Sequence, residues 1–423
     1  MNMSEYLPKG ASYEMRTERT KSSNVMFDGN RFERIDSADQ VSQTVRLLYE
    51  GKISTAASSK PGSGEELIKK AADMVRYGSP HDVPFVGKTD ISPLNLVDEA
   101  TLTSKQMIET MGGFVDELRA IDDRLVVSAR LNSTFSDVSL ETSSGFSHSY
   151  RKSGWVYGGS IELMQGDDLL SIYEYELAMR PDLNLKKLKD TIARKLEYAK
   201  TVVSFNAGAY PVIFTPGEVG NIVNPVIASL NGLAVYRKVS PWSDKLGQEL
   251  LDTRFTLIDD GTLDNSWTSK PFDLEGTPTR RNTLVQNGCL GDLLTNRKVA
   301  AQLGRESSGN AGAMGPAPIH LQLDGGSKTL DELIRSIDYG LLIDGTMGAW
   351  SGNPYSGIVT GTISMGLKIE KGKIVGRVKD CMFTINAFEH FRKHLIDCST
   401  EREQAYSNLF PYVTLDEVVI STK

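Results

Sequence analysis

The sequence predicts an α+β protein built as two domains: an N-terminal α+β domain over residues 1–205 and a mainly β C-terminal domain over residues 206–423. Three observations carry this. At 423 residues the chain is longer than one ordinary core, and 39% apolar residues with 8% aromatics is a globular composition. The first half interleaves segments of period two with segments of helical period. The second half turns glycine-rich, with many short strand-like runs and few helical ones.

The elements follow in order. From Asn24 to Ser59 the chain alternates in short segments broken at Asp28-Gly29 and Glu50-Gly51-Lys52, the pattern of antiparallel hairpins. SGEELIKKAADMVRYG, Ser63 to Gly78, places Leu67, Ala71, Met74 and Val75 on one face and stops at a glycine, which predicts an amphipathic helix. Met107, Met111, Phe114, Leu118 and Ile121 recur at spacings of three and four and predict a second helix over 104–124, interrupted in composition by Gly112-Gly113. The period then returns to two, and Leu125 to Met164 reads as strands of a solvated antiparallel sheet. A further helix is expected over 183–203. The boundary falls near Phe205-Asn206-Ala207-Gly208, after which PVIFTP, Pro211 to Pro216, reads as a buried strand.

Composition also excludes function classes. A net charge of -7 without any Lys/Arg block lacks the electrostatic footprint of a polyanion binder, so direct nucleic-acid binding is not expected. Cys289, Cys381 and Cys398 are an odd number at unrelated spacings, which points to free thiols in a reducing compartment. The N-terminus is polar, without the apolar core of a signal peptide, and no apolar run approaches about 18 residues. A cytoplasmic chain without a membrane span is the expectation.

Only five histidines are present. His81 and His148 lie in solvent-prone contexts, and His320 alternates within a strand. EHFRKHLIDC holds His390, His394 and Cys398 every four residues, a stacking of N/N/S donors on one helix face that suits zinc. Eight residues of helix rise about 12 Å, too far for one ion to meet all three, although a His390/His394 pair alone is within reach. Phe388, Phe391 and Leu395 form the apolar stripe of the same helix. No G-x-S-x-G elbow and no glycine-rich loop ending in Lys-Ser/Thr is present. Ser307-Ser308-Gly309-Asn310 sits in a glycine-rich run that enters prolines instead of a helix, so it is expected to shape a cleft or subunit contact, not a nucleotide site. Asp259, Asp260, Asp273 and Glu275 read as hairpin-turn acids.

The order PVIFTP, LGQELLDTRFTLIDDGTLDN, FDLEGTPTRRNTLVQNGCLGDLLTN, SSGNAG, LDELIRSIDYGLLI and SGNPYSGIVTGTISMGLKIEKGKI resembles the TldD/PmbA family, once described as modulators of DNA gyrase. VRLLYEGKISTAASS near the N-terminus resembles it too, so the likeness covers nearly the whole chain. The resemblance implies a two-domain α+β protein related to metallopeptidases. TldD-type members carry a zinc-binding H-E-x-x-x-H helix and a later cysteine ligand. PmbA (TldE) members lack the motif and pair with the active subunit to degrade unfolded peptides.

PGEVGNIVNPVIASLNG, Pro216 to Gly232, is where the two kinds separate. Set against the motif, Asn224 stands at the first histidine, Pro225 at the glutamate and Ser229 at the second histidine. None supplies a zinc-competent donor or a general base. Cys398 has no secure match to the cysteine ligand. Asn224-Pro225 also reads as an N-cap followed by the first helical residue, so NPVIASLNG is expected to be a short helix of its own ending at Gly232. The resemblance thus implies a noncatalytic PmbA-like subunit with no catalytic residues, metal ligands or cofactor of its own. Zinc is then expected only in a TldD-like partner, with peptide as the substrate. Two other readings stay open: an autonomous peptidase in which His320 or His390/His394 converge, and a homodimeric binding protein.

Overall fold

The computed structural model describes residues 6–422 and has the predicted α+β character. Seven strands form the first sheet: β1 (Ser12–Asp28), β2 (Arg31–Tyr49), β3 (Lys52–Ser58), β4 (Ser79–Pro80), β5 (Val126–Thr142), β6 (Ser147–Gln165) and β7 (Asp168–Ala178). They run antiparallel in the order β4-β3-β2-β1-β5-β6-β7. The expected turns at Asp28-Gly29 and Glu50-Gly51 are the hairpin turns, with Gly29, Asn30, Glu50 and Gly51 all at positive φ.

Three helices interrupt these strands: α1 (Gly64–Met74), α2 (Ser104–Arg119) and α3 (Leu185–Ala199). Thr103 caps α2 with a full capping box to Gln106, and the helix runs unbroken through Gly112-Gly113. The apolar stripe Met107, Met111, Phe114, Val115 and Leu118 is buried against the sheet, which outweighs the roughly 1 kcal/mol penalty of each glycine. The helix ends five residues before the predicted Arg124, at an Asp122-Arg124 turn.

The second half carries thirteen further strands. The first seven are β8 (Gly208–Phe214), β9 (Leu257–Asp260), β10 (Arg281–Gln286), β11 (Cys289–Leu290), β12 (Ala311–Gly312), β13 (Gly315–Pro316) and β14 (Leu321–Leu323). The others are β15 (Tyr339–Met347), β16 (Ile358–Glu370), β17 (Lys373–Val378), β18 (Cys381–Asn386), β19 (Leu395–Ala405) and β20 (Asn408–Thr422). Five helices lie between them: α4 (Pro216–Ser229), α5 (Gly232–Tyr236), α6 (Arg297–Gln302), α7 (Leu330–Arg335) and α8 (Ala387–Lys393). Strands β20, β18, β16, β15 and β8 are hydrogen-bonded in that order, and β8 pairs back onto β20, so they close a five-stranded barrel. From β20 the sheet continues outward through β14, β9, β10 and β11.

The expected boundary near residue 205 falls between α3 and β8, yet the packing crosses it. Phe114, Trp155 and Ile192 share one core with Leu342, Leu367 and Tyr412. Ion pairs also cross. Arg46 grips Glu14 through two bonds of 2.7 Å and reaches Glu275 at 3.4 Å, while Lys195 joins Glu174 to Asp344 and Asp168 joins Arg377 and Lys379. Trp267 is seated on Gly154 of β6, where an added Cβ would stand 1.3 Å from the ring. Only glycine permits that approach.

Candidate functional site

Helix α4 begins at Thr215-Pro216, not at Asn224-Pro225. The expected short helix from Asn224 is therefore corrected: Asn224 is no N-cap, and Pro225 lies inside a fourteen-residue helix. Interior proline costs about 3 kcal/mol, because it lacks the N–H that would bond to the carbonyl of Asn221. Val219, Ile222, Val223 and Val226 are each fully buried in the barrel core, at about 1.5–3 kcal/mol apiece, so packing carries the helix through the proline. The cap expected from this segment is Asn231, whose side chain accepts from the N–H of Leu233 and starts α5. Gly232, expected as a stop, is the first residue of α5.

The three motif positions diverge on this helix. Asn224 is exposed, Pro225 is buried, and Ser229 is fully buried with its hydroxyl donating to the carbonyl of Pro225 at 2.7 Å. Asn224 thus lies on the solvent side of the helix and Ser229 on its core side. Ser229 also accepts through its backbone carbonyl from Ser240, at 2.6 Å. The zinc implied by the resemblance does not fit these residues: a carboxamide in solvent, a ring without a donor and a hydroxyl already committed to backbone form no ligand set.

The histidines do not compensate. His320 is buried, and its Nδ1 lies 2.6 Å from the carbonyl of Ser407 and 2.9 Å from the hydroxyl of Thr268. His390 is buried between carbonyls, with Nδ1 2.8 Å from Asn386 and Nε2 3.3 Å from Glu417. Burial lowers the pKa of both rings, because it disfavours the charged imidazolium. The His390 and His394 rings do approach, with centroids 5.2 Å apart.

The helix expected to carry Cys398 ends at Lys393, with His394 as its cap, and Cys398 lies in β19. The four-residue periodicity was therefore coincidental beyond the pair. Leu395, expected on the apolar stripe of that helix, is the first residue of the strand. Cys398 is buried in the core that α4 and α8 share, and burial pushes its thiol up to about 12. Among the described residues no group of three or more His, Cys, Asp or Glu side chains could hold a metal ion.

The loop Ser307-Ser308-Gly309-Asn310 is mostly internal. Ser308 and Asn310 are each 1% exposed, and only Ser307 lines an open cavity of about 510 Å³ beside Arg280, Arg297 and Arg305. Asn310 donates to Asp259 at 2.6 Å and accepts from Ser308 and Asn282. Gly309 has φ +77°, and a Cβ there would lie 2.4 Å from the Pro278 carbonyl. Asp259 and Asp260 belong to the buried strand β9, which corrects their reading as turn acids. Asp259 accepts from the N–H groups of Ile319 and His320, and burial raises its pKa despite them. Asp273 and Glu275 do flank a turn at Gly276, but both carboxylates point inward.

A second, polar cleft of about 420 Å³ opens where α4 begins, between the two sheets. Thr215 to Glu218, β7 from Tyr173 to Leu177, α3, Asp344 and the end of β19 line it. Glu218 accepts from the N–H and hydroxyl of Thr346, at 3.0 and 2.6 Å, and from Asn221. The sequence reading missed this cleft, since its walls come from elements far apart in the chain, from β7 to β20. The available signal was SIYEYELA in β7, where aromatic and acidic residues alternate instead of apolar and polar ones.

An open antiparallel sheet packed on a five-stranded barrel, with a helix following the first barrel strand, defines an α+β protein of two large sheets. Residues 207–422 match the PmbA/TldA metallopeptidase C-terminal domain, and the chain belongs to that PmbA/TldD family. It is 27% identical over 385 residues to the metalloprotease PmbA homolog of Haemophilus influenzae, covering 86% of this chain and 82% of that protein. A metalloprotease of Methanothermobacter thermautotrophicus is 24% identical over 409 residues, covering 89% and 85%. TldE from Thermococcus kodakarensis shares the fold, with a TM-score of 0.90 at 21% identity over 99% of this chain and 98% of that one. No helix among the described residues is long and apolar enough to cross a membrane.

Proposed function

We propose that this chain is the noncatalytic, PmbA/TldE-like subunit of a two-chain zinc peptidase. It shapes a peptide cleft for, or regulates, a TldD-like partner that degrades unfolded peptides in the cytoplasm. The observation that carries the reading is the state of α4: Asn224 in solvent, Pro225 without a donor, and Ser229 bonded back to Pro225. A zinc peptidase lowers the pKa of a metal-bound water and needs a carboxylate to take its proton. The helix offers neither ligand nor base, so chemistry has to come from a second chain with an intact H-E-x-x-x-H helix. The polar cleft at the start of α4 supports a role in holding peptide. Elemental analysis of the tag-free protein tests the reading: substoichiometric zinc is expected, and about one tightly held zinc per chain contradicts it.

A further inference from the structure

Strand β7 ends the first sheet, and among the described residues it pairs only with β6. Every second residue of an edge strand turns its N–H and C=O away from its one neighbour. Five consecutive β7 residues, Tyr173 to Leu177, form a wall of the cleft at the start of α4. Across that cleft lie Glu403 to Ala405 of β19, which among the described residues pair only with β20. An unpaired edge facing an open polar cleft is the arrangement by which extended peptides add to a sheet.

The side chains around the edge select the peptide. Glu174, Glu176, Glu218, Asp344 and Glu403 line the cleft against Lys187, Arg194 and Lys195. Lys195 is committed to Glu174 and Asp344, and Lys187 to Glu176 at 2.5 Å. Glu403 and Glu218 receive only hydroxyl and amide donors, the former from Tyr412 at 3.2 Å. At the rim, Tyr173 and Tyr175 stack with centroids 5.7 Å apart, and Tyr406 follows at 5.4 Å. Tyr173 and Tyr406 are 62% and 69% exposed. Aromatic faces beside the exposed Glu403 carboxylate favour lysine and arginine side chains.

We infer that the β7 edge binds an extended, basic peptide segment as an eighth strand, with its cationic side chains against the tyrosine rim and the exposed Glu403 carboxylate. This rests on the peptide-handling reading above and names its ligand and site. Main-chain pairing gives affinity, and the acidic cleft gives selectivity.

The test uses the full chain and a fluorescein-labelled peptide of about 12 residues alternating Lys and Thr, read by anisotropy. Two analogues carry N-methyl groups on alternate residues in opposite phase, and a third replaces Lys by Glu. Saturable binding of the parent is expected, weakened about tenfold or more by one N-methyl phase and about threefold or less by the other. The Glu peptide should not saturate. A Tyr173→Ala/Tyr406→Ala variant, both positions exposed, should fold and bind at least about threefold more weakly. Equal binding of both methylated phases and the parent, or no saturable binding of the parent, overturns the inference. Cleavage by a mixture with a TldD-like partner, without binding to this chain, overturns it while leaving the subunit reading intact. Saturable binding without any effect on a partner does the reverse.

Discussion

The hydroxyl of Ser229 donates to the carbonyl of Pro225 at 2.7 Å, so two of the three positions where a catalytic helix would carry metal chemistry are bonded to each other inside the helix. Their neighbour Asn224 is exposed, and that difference makes the positions separable by substitution. Ser229→His should overpack a fully buried site and cost about 1–3 kcal/mol, whereas Asn224→His should stay within about 0.5 kcal/mol. Urea midpoints of the two variants check this, and equal stability would count against it.

Restoring the letters of the motif should not restore chemistry. Asn224→His, Pro225→Glu and Ser229→His together would put one imidazole at an exposed position and one at a fully buried one, without the cysteine ligand or the outer partners that orient ligands. The combined variant is expected to show no chelator-sensitive peptide cleavage above the unmodified chain, measured after purification to homogeneity.

The Lys195 ammonium lies between Glu174 and Asp344, one carboxylate from each half of the chain. Lys195→Met leaves two half-buried carboxylates without their cation and should cost about 1–3 kcal/mol. Without the cation, Glu174, whose carboxyl burial already raises, holds its proton more tightly in the fold than in the unfolded chain. The deficit should therefore shrink as pH falls from 7 toward about 5. A deficit that does not change with pH in urea unfolding would place the loss elsewhere.

Asp273 gives a second pH signature. Burial raises its carboxyl to about 6, against the N–H groups of Ala311, Glu275 and Thr277 that it accepts. A raised carboxyl keeps its proton in the fold where the unfolded chain has lost it. Stability from this group is thus fully present below about pH 4 and is lost as pH rises through about 6, by up to about 3 kcal/mol. Asp273→Asn should remove that component of the slope, which urea unfolding of both proteins across the window would reveal.

How far the sequence could be read follows from what each signal depends on. The hairpins of β1 to β3 were legible because turn residues sit at the strand ends, and α2 because its stripe survives two glycines. The family was legible from the order of loose segments. The start of α4 was misread because Asn224-Pro225 is a good local cap pair, and only the fully buried Val219 and Ile222 show that tertiary packing overrides it. Cys398 followed a helical spacing that the fold breaks at His394. The internal face of Ser308 and Asn310 depends on Asp259, about fifty residues away in the chain, and no local pattern marks it.

The thiols should sort by burial. Cys398, with its thiol pushed up to about 12, and the buried Cys381 should resist a thiol reagent at pH 8, while the partly exposed Cys289 reacts first. Counting the thiols modified in the native protein checks this, and rapid labelling of Cys398 would contradict the packed position assigned to it.

The central claim, that any proteolysis involving this chain needs a second chain with an intact H-E-x-x-x-H helix, is tested most directly by cleavage of one unstructured peptide in three reactions. These contain this chain alone, a TldD-like partner alone, and the two mixed. No turnover is expected from this chain alone, and chelator-sensitive turnover in the mixture should exceed that of the partner alone. Chelator-sensitive turnover by this chain alone, persisting through purification to homogeneity, would contradict it.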